Sequence, residues 1–139
     1  MTNTRQELMY ELAELLRRLS RVKWFLGDSE LDLEGFMILD HLTETEKTTM
    51  SEIVKSFSLP ASTATGIVDR LVKKKYVKRQ HSSEDRRKVE LQITESGERA
   101  HNNFRMTALK TMDESLSHLS MDEIQEITNL VRKLIERLA

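Results

Sequence analysis

The sequence predicts a mainly α-helical fold with one small β-hairpin. Over most of the 139 residues, apolar side chains recur every three or four positions, which is the spacing of one helix face. Between about residues 76 and 93 they alternate with polar side chains, as in a half-buried strand. One proline and only four glycines favour helices over a sandwich or barrel. The length suits a single domain with a buried core.

The first part of the sequence predicts two helices. Apolar residues at helical spacing predict a first helix from Arg5 to Leu26, longer than a small core requires. The stretch "GDSELD" breaks it, and Asp32 is placed to cap a short helix that ends near Leu42. The sequence contains neither a signal-peptide core nor an apolar run of membrane-spanning length, so we expect a cytoplasmic protein.

The middle of the sequence predicts two short helices and a hairpin. After the loop "TETEK", Thr49 and Glu52 have capping-box spacing and open a helix through about Phe57. The turn "SLPAS" places Pro60 near the start of the next helix, "STATGIVDRLVKKK". The strand-like segments "YVKRQ" and "KVELQI" flank the polar tip "HSSEDRR".

The last third predicts two more helices. Thr94 is placed to cap a long helix from about Glu95 to His118. Ser120 and Glu123 form a second capping box, which opens an amphipathic final helix.

Two short helices joined by a tight turn and followed by a basic hairpin are typical of a winged helix-turn-helix, whose second helix enters the major groove of DNA. The N-terminus of that helix reads "PASTATG", in which three hydroxyl side chains can reach bases or phosphates. We therefore predict DNA contacts from Ser62, Thr63 and Thr65, close approach at Ala61, Ala64 and Gly66, and phosphate contacts from Arg70, Lys73, Lys74 and Lys75. The alternative is an ordinary polar helix start, because serine and threonine are common there.

Positive charge is concentrated in one segment although the net charge is −1. Residues 69–88 carry nine Lys/Arg against three Asp/Glu, which leaves 13 against 20 in the remainder. A focused basic patch attracts polyanions and so favours double-stranded DNA as a partner. Taken alone, the segment is equally compatible with a solvated charged face.

These features resemble the MarR family of bacterial transcription regulators. The pieces that carry the resemblance are "TMSEIVKSFSLPASTATGIVDRLVKKKYVKR", "DRRKVELQIT" and "TESG". The resemblance implies a single MarR-like domain, 1–139, with a DNA-binding lobe at 31–97 and a helical dimerisation region at 1–30 and 98–139. It also implies that Arg87 enters the minor groove, that Asp85 orients the wing, and that Arg86 and Lys88 contact the DNA backbone.

Two positions depart from the family pattern. Family members commonly have glycine where this sequence has Lys75, and glycine suits a left-handed helix end. Either the turn has a different shape here, or Lys75 gains a phosphate contact. Gly66 stands where some members have a basic residue, so the base preference does not transfer.

The terminal helices carry more apolar residues than a small winged helix needs to cover itself. This surplus predicts a homodimer through these helices, in which two recognition helices read a pseudo-palindrome with half-sites about one helical turn apart. The alternative is a monomer that folds its terminal helices back as core. The residues concerned are Leu8, Met9, Leu12, Leu16, Leu19, Leu130, Leu134, Ile135 and Leu138.

The family resemblance also implies a small aromatic or anionic effector. The candidate contacts are Trp24, Phe36, Met37 and His41, each of which is also compatible with a core or interface role. The four histidines are scattered without i, i+4 spacing, and the sequence has no cysteine. We therefore predict neither a metal site nor a cofactor.

The sequence thus predicts a sequence-specific DNA-binding transcription regulator, a homodimeric repressor of a pseudo-palindromic operator that a small effector releases. The alternative is a protein-interaction module that uses the same fold as a scaffold. Enzymatic activity is not expected, because no catalytic motif stands out.

Overall fold

The computed structural model of the chain describes residues 4–20 and 30–139. Its elements, in chain order, are α1 (Arg5–Leu19), α2 (Leu33–Glu44), β1 (Thr48–Thr49), α3 (Met50–Phe57), α4 (Ala61–Lys73), β2 (Val77–His81), β3 (Val89–Ile93), α5 (Glu95–Ser115) and α6 (Met121–Leu138). The predicted mainly helical fold with a small hairpin is confirmed. Residues 21–26 of the predicted first helix lie outside the described ranges, and α5 ends three residues earlier than predicted.

The described residues form two compact units. Residues 30–108 make up one unit, and residues 4–20 together with 109–139 make up the other. The first contains the helix-turn-helix and its hairpin, and the second contains α1 and α6.

Side-chain caps start the helices where the sequence predicted them. Asp32 accepts a hydrogen bond from the backbone N–H of Gly35 at the start of α2. Thr49 and Ser120 form capping boxes with the glutamates three residues later, at the starts of α3 and α6. Each cap satisfies N–H groups that the first turn of a helix leaves without partners.

The core of the 30–108 unit is formed by α2, α3, α4, the sheet and the part of α5 that belongs to this unit. Ala64 is fully buried within it, so the prediction that this residue keeps the DNA-facing surface low is wrong. Its small size serves packing inside the unit instead. The buried apolar residues are Leu31, Ile38, Leu39, Leu42, Ile53, Ala64, Ile67, Val68, Leu71, Val77, Leu91 and Phe104.

The hairpin belongs to a three-stranded antiparallel sheet in the order β1-β3-β2. The central strand pairs with β2 from Val77 opposite Ile93 to His81 opposite Val89, and with β1 through Thr48 opposite Leu91. Leu91 is fully buried, which anchors the strand and lets the hairpin tip project. The sequence prediction missed β1, because two threonines show no alternation.

The other unit exposes its apolar residues. Neither α1 nor α6 contains a buried residue. Leu8, Leu12 and Leu19 are each nearly half exposed, and Leu134 slightly more. These exposed apolar residues favour the predicted homodimer over the alternative of a monomer with its terminal helices folded back as core.

Candidate nucleic-acid interface

Helices α3 and α4 are joined by a turn of three residues. Ser58 adopts a left-handed backbone with φ 50°, and its N–H donates to the carbonyl of Val54. Pro60 then precedes α4, whose N-terminus has no side-chain cap. The positive end of the helix dipole and its first N–H groups therefore remain open to an anionic ligand.

The buried side of α4 fixes which residues face outward. Ile67, Val68 and Leu71 hold the helix in the core. Opposite them, Ser62 and Thr65 are exposed, and the half-buried Gly66 has nothing within 4 Å of the position its Cβ would take. These three residues and Lys73 share one helix face by their spacing, and we call it the outward face. Thr63 is also exposed, to one side of it.

The wing tip is held in shape by its own hydrogen bonds. The N–H of Ser82 donates to the carbonyl of Lys88 at 2.9 Å, and the N–H of Lys88 donates to the carbonyl of Asp85 at 3.0 Å. Ser82 is buried, and its hydroxyl accepts from the N–H of Glu84 at 3.3 Å. These bonds give residues 82–88 a defined turn rather than an open loop.

Arg87 projects from this tip into solvent beside Asp85. One carboxylate oxygen of Asp85 accepts from the backbone N–H of Arg87 at 3.0 Å and lies 3.5 Å from Arg87 Nε. The side chain of Arg87 is 94% exposed. The charge of Arg87 is thus open to a ligand, while the carboxylate of Asp85 restricts the orientation of the arginine through its backbone N–H and its Nε. Arg86 and Lys88 are exposed on either side.

The base of the wing explains the unusual position of Lys75. This residue has a left-handed backbone with φ 63°. The N–H of Lys75 donates to Val72 O, and the N–H of Tyr76 donates to Leu71 O, each at 2.9 Å. Together these bonds are the Schellman motif that usually ends on glycine. The turn therefore keeps the shape that glycine favours, and the alternative of a differently shaped turn is wrong.

A threonine and a glycine join the wing to α5. The hydroxyl of Thr94 donates to the carbonyl of Lys75 at 2.6 Å and accepts from the N–H of Gly97 at 3.0 Å. A Cβ at Gly97 would overlap the carbonyl oxygen of Tyr76, so only glycine fits there. This contact is the physical reason for the sequence "TESG".

Two cations predicted to contact DNA are engaged within the protein. A guanidinium nitrogen of Arg70 lies 3.3 Å from Asp32 Oδ2 and 3.7 Å from Glu34 Oε2. Lys74 Nζ donates to the carbonyl of Glu30 at 2.5 Å. The sequence prediction missed these partners, because more than thirty-five positions separate them and no local pattern connects them. Lys73, by contrast, is exposed on the outward face.

The candidate effector residues are not brought together in one place. The ring of Phe36 stacks with the rings of His101 and Phe104, at centroid distances of 4.9 and 4.3 Å. On α2, the ring of His41 meets Phe57 edge-on at 5.7 Å, and the half-exposed Met37 lines a small apolar cleft with the same phenylalanine. Trp24 lies outside the described residues.

Two further histidines, His101 and His81, have protein partners. His101 Nε2 lies 2.7 Å from Asp40 Oδ1, and His81 Nδ1 lies 3.0 Å from the carbonyl of Arg86. Within the described ranges, no group of three or more His, Asp or Glu side chains could hold a metal ion. Within the same ranges, none of the helices combines the length and apolar character needed to cross a membrane.

Comparisons with known proteins agree with this geometry. The family model described as "MarR family" matches residues 31–89. The HTH-type transcriptional regulator YpoP of Bacillus subtilis (strain 168) is 33% identical over 105 residues, which cover 72% of this chain and 74% of that protein.

Two solved structures share the fold over most of the chain. One is BpsR of Bordetella bronchiseptica, whose DNA binding is regulated by 6-hydroxynicotinic acid. It is 25% identical with a TM-score of 0.68, and the match covers 89% of this chain and 98% of BpsR. A mutant of MarR from E. coli, complexed with operator DNA, is 21% identical with a TM-score of 0.72 and covers 95% and 99%. With its helix-turn-helix and projecting wing, the chain belongs to the MarR family of transcription regulators.

Proposed function

We propose that this DNA-binding regulator is a homodimeric repressor of a pseudo-palindromic operator. The observation that carries the proposal is the pairing of two exposed features on the 30–108 unit. One is the uncapped, hydroxyl-bearing N-terminus of α4, and the other is Arg87, which is 94% exposed and oriented by Asp85. A helix for the major groove and an arginine for the minor groove are the two reading elements of a winged helix.

Each exposed residue of these elements has a role in the proposal. Ser62, Thr63 and Thr65 contact base edges or phosphates, and Gly66 lets the helix approach the groove floor closely. The cations Lys73, Arg86 and Lys88 contact phosphates along the duplex and make the affinity dependent on salt. Asp85 orients the wing and does not itself bind DNA.

The exposed apolar residues of α1 and α6 support the dimer. Isolated apolar side chains are common on protein surfaces, but a helix without a single buried residue is not stable through its own core contacts. Pairing with a second copy would bury these leucines and generate the two-fold axis that a pseudo-palindrome requires. We assign residues 1–30 and 98–139 to this role and residues 31–97 to DNA.

We further propose that a small aromatic or anionic effector releases the operator. The relative BpsR, whose DNA binding is regulated by 6-hydroxynicotinic acid, supports this class of ligand. On this chain, Met37 and Phe57 line a small apolar cleft, His41 contacts the same phenylalanine, and this cleft is the candidate contact. An effector that binds one conformation better than the other shifts the equilibrium between them. A regulator of bacterial DNA acts in the cytoplasm, and we propose the cytoplasm as its location.

The proposal is tested in two steps. The protein first selects DNA fragments from the parent genome, and the affinity of one variant for the selected fragments is then measured. The selected sites should be pseudo-palindromes, and Arg87→Ala should weaken binding by about 1–3 kcal/mol with the same melting temperature. Arg99→Ala, which removes an exposed cation on α5, should bind as the wild type does. Unchanged affinity of Arg87→Ala in a gel-shift titration would remove Arg87 from the interface.

A further inference from the structure

We infer that Arg70 and Lys74 are positioning residues, which fasten the recognition helix α4 to the start of α2, rather than ligands of DNA phosphates. The inference rests on the proposed function, because it concerns how the reading helix is held for entry into the groove. The segment that receives the two cations, residues 30–35, is called the bracket below.

Both cations lie on the flank of α4 rather than on its outward face. They are four residues apart, so they project in similar directions. At 100° per residue, they lie about 100° around the helix from the face that carries Ser62, Thr65 and Lys73. That direction leads to the bracket, where all of their described side-chain contacts are found.

Asp32 connects the two helices through separate oxygens. Its Oδ1 accepts from the N–H of Gly35 at 2.8 Å and so caps α2. Its Oδ2 lies 3.3 Å from the guanidinium of Arg70. Glu34 adds a second carboxylate at 3.7 Å from the same guanidinium nitrogen. With two carboxylates beside it, Arg70 offers a phosphate little net positive charge.

Apolar contacts lie beneath these polar ones. Leu31 of the bracket and Leu71 of α4 are both buried. The position that a Cβ would take at Gly35 lies 3.3 Å from a methyl of Leu71 and 2.9 Å from a methyl of Leu31, so this glycine allows close packing of α2 on α4. Arg70 and Lys74 therefore border a buried contact and restrict how α4 can turn on it.

Because the ion pair between Arg70 and Asp32 is exposed, its loss should be measured through DNA affinity rather than through stability. The side chains of Arg70 and Asp32 are 54% and 58% exposed. A pair this exposed contributes little to global stability, because water and salt screen it. We therefore expect its removal to alter DNA affinity and to leave the melting temperature nearly unchanged.

The decisive variant is Asp32→Asn. Asparagine caps a helix as well as aspartate does, so α2 keeps its cap while Arg70 loses one charge partner. If Asp32 acted only through its charge, neutralising it would strengthen binding to the DNA polyanion. A positioning role predicts the opposite sign, a loss of about two- to fivefold.

Salt dependence separates a positioning residue from a phosphate ligand. Operator affinity is measured at several salt concentrations for the wild type, Asp32→Asn, Arg70→Gln, the double variant and Lys74→Met. We expect each single variant to lose about two- to fivefold with an unchanged slope of log affinity on log salt, and the double variant to be no weaker than Arg70→Gln. Lys88→Ala, which removes a proposed phosphate contact, is the control that should lower that slope by about 0.9.

The opposite pattern would overturn the inference. Tighter binding by Asp32→Asn, together with a slope reduced by about 0.9 in Arg70→Gln, would make Arg70 a phosphate ligand. A further control, Glu46→Gln, neutralises an exposed acid outside the bracket and should not weaken binding. If the wild-type protein selects no DNA sequence at all, the proposed function itself is contradicted, and that result is distinct from either pattern among the variants.

Discussion

At the scale of single residues, two side chains occupy backbone conformations that favour glycine. Ser58 and Lys75, at the ends of α3 and α4, have φ values of 50° and 63°. A left-handed backbone costs a residue with a Cβ about 1–2 kcal/mol. The chain accepts this cost at the C-terminal end of each helix of the helix-turn-helix, so both positions are sites where glycine should stabilise the fold.

Lys75→Gly tests this cost directly. Glycine relieves the backbone strain of the folded state, but it also increases the conformational entropy of the unfolded chain, which offsets part of the stabilisation. We therefore expect the free energy of unfolding to rise by about 1 kcal/mol. Urea denaturation at one fixed protein concentration measures it. As a matched control, Lys73→Gly places glycine in the last turn of the helix and should destabilise by up to about 1 kcal/mol. A Lys75→Gly protein less stable than the wild type would contradict the argument from backbone strain.

Gly66→Ala should separate stability from DNA binding. A methyl group at Gly66 meets nothing within 4 Å, and alanine is better in a helix by about 1 kcal/mol. We therefore expect a higher melting temperature. On the outward face, however, the same methyl group would hold α4 away from the bases, so operator affinity should fall. Thermal melting and a binding titration on one preparation check both outcomes, and unchanged affinity would mean that Gly66 does not face the groove.

Local sequence patterns predicted which side chains are exposed better than they predicted which side chains have partners within the protein. Ser62, Thr65 and Arg87 are exposed as expected, because their neighbours in sequence determine the helix face and the hairpin tip. Ala64 was assigned to the surface but is buried, since small residues fit either environment. The partners of Arg70 could not be predicted, because they lie 38 and 36 positions away.

At the scale of elements, helix boundaries were largely predictable because side-chain caps are local. Asp32, Thr49 and Ser120 each accept a hydrogen bond from the backbone three residues ahead, as their spacing indicated. Strand β1 was not predictable, because its two residues are defined by pairing with β3, more than forty positions later. Only the packed sheet creates that strand.

The capping box of α3 should make stability depend on pH. Hydrogen bonds from the backbone N–H of Thr49 and the hydroxyl of Thr48 lower the pKa of Glu52 below its ordinary value of 4.5. A lowered folded-state pKa contributes stability above pH 4.5 that is lost as the pH falls through the folded-state value. The stability difference between the wild type and Glu52→Gln should therefore shrink from about pH 6 towards about pH 3. Denaturation across that range tests this, and a difference independent of pH would contradict it.

At the scale of the whole molecule, the amphipathic terminal helices determine the assembly that we propose. The sequence predicted their apolar surplus, and in the structure the leucines are exposed. Burying them in a dimer links folding to association, so the unfolding midpoint should rise with protein concentration.

Leu134→Glu is expected to weaken the dimer. The side chain is about half exposed on α6 in the single chain, and a carboxylate there would lose its hydration on pairing. Size-exclusion chromatography with light scattering should find twice the 16.2-kDa chain mass for the wild type and a lower average mass for the variant. The control Gln125→Glu adds the same charge at an exposed polar position of α6 and should remain dimeric. Equal masses for the wild type and Leu134→Glu would place the interface elsewhere.

The junction at Thr94 and Gly97 has a mechanical consequence. The threonine hydroxyl connects the last turn before β2 to the first turn of α5, and the glycine lets α5 start directly against the carbonyl of Tyr76. No residue between β3 and α5 is left to act as a hinge, since the strand ends at Ile93, the helix begins at Glu95, and Thr94 between them is held by both hydrogen bonds. We therefore expect the wing and the start of α5 to move together, so that a tilt of this end of the helix also displaces the arginine at the wing tip.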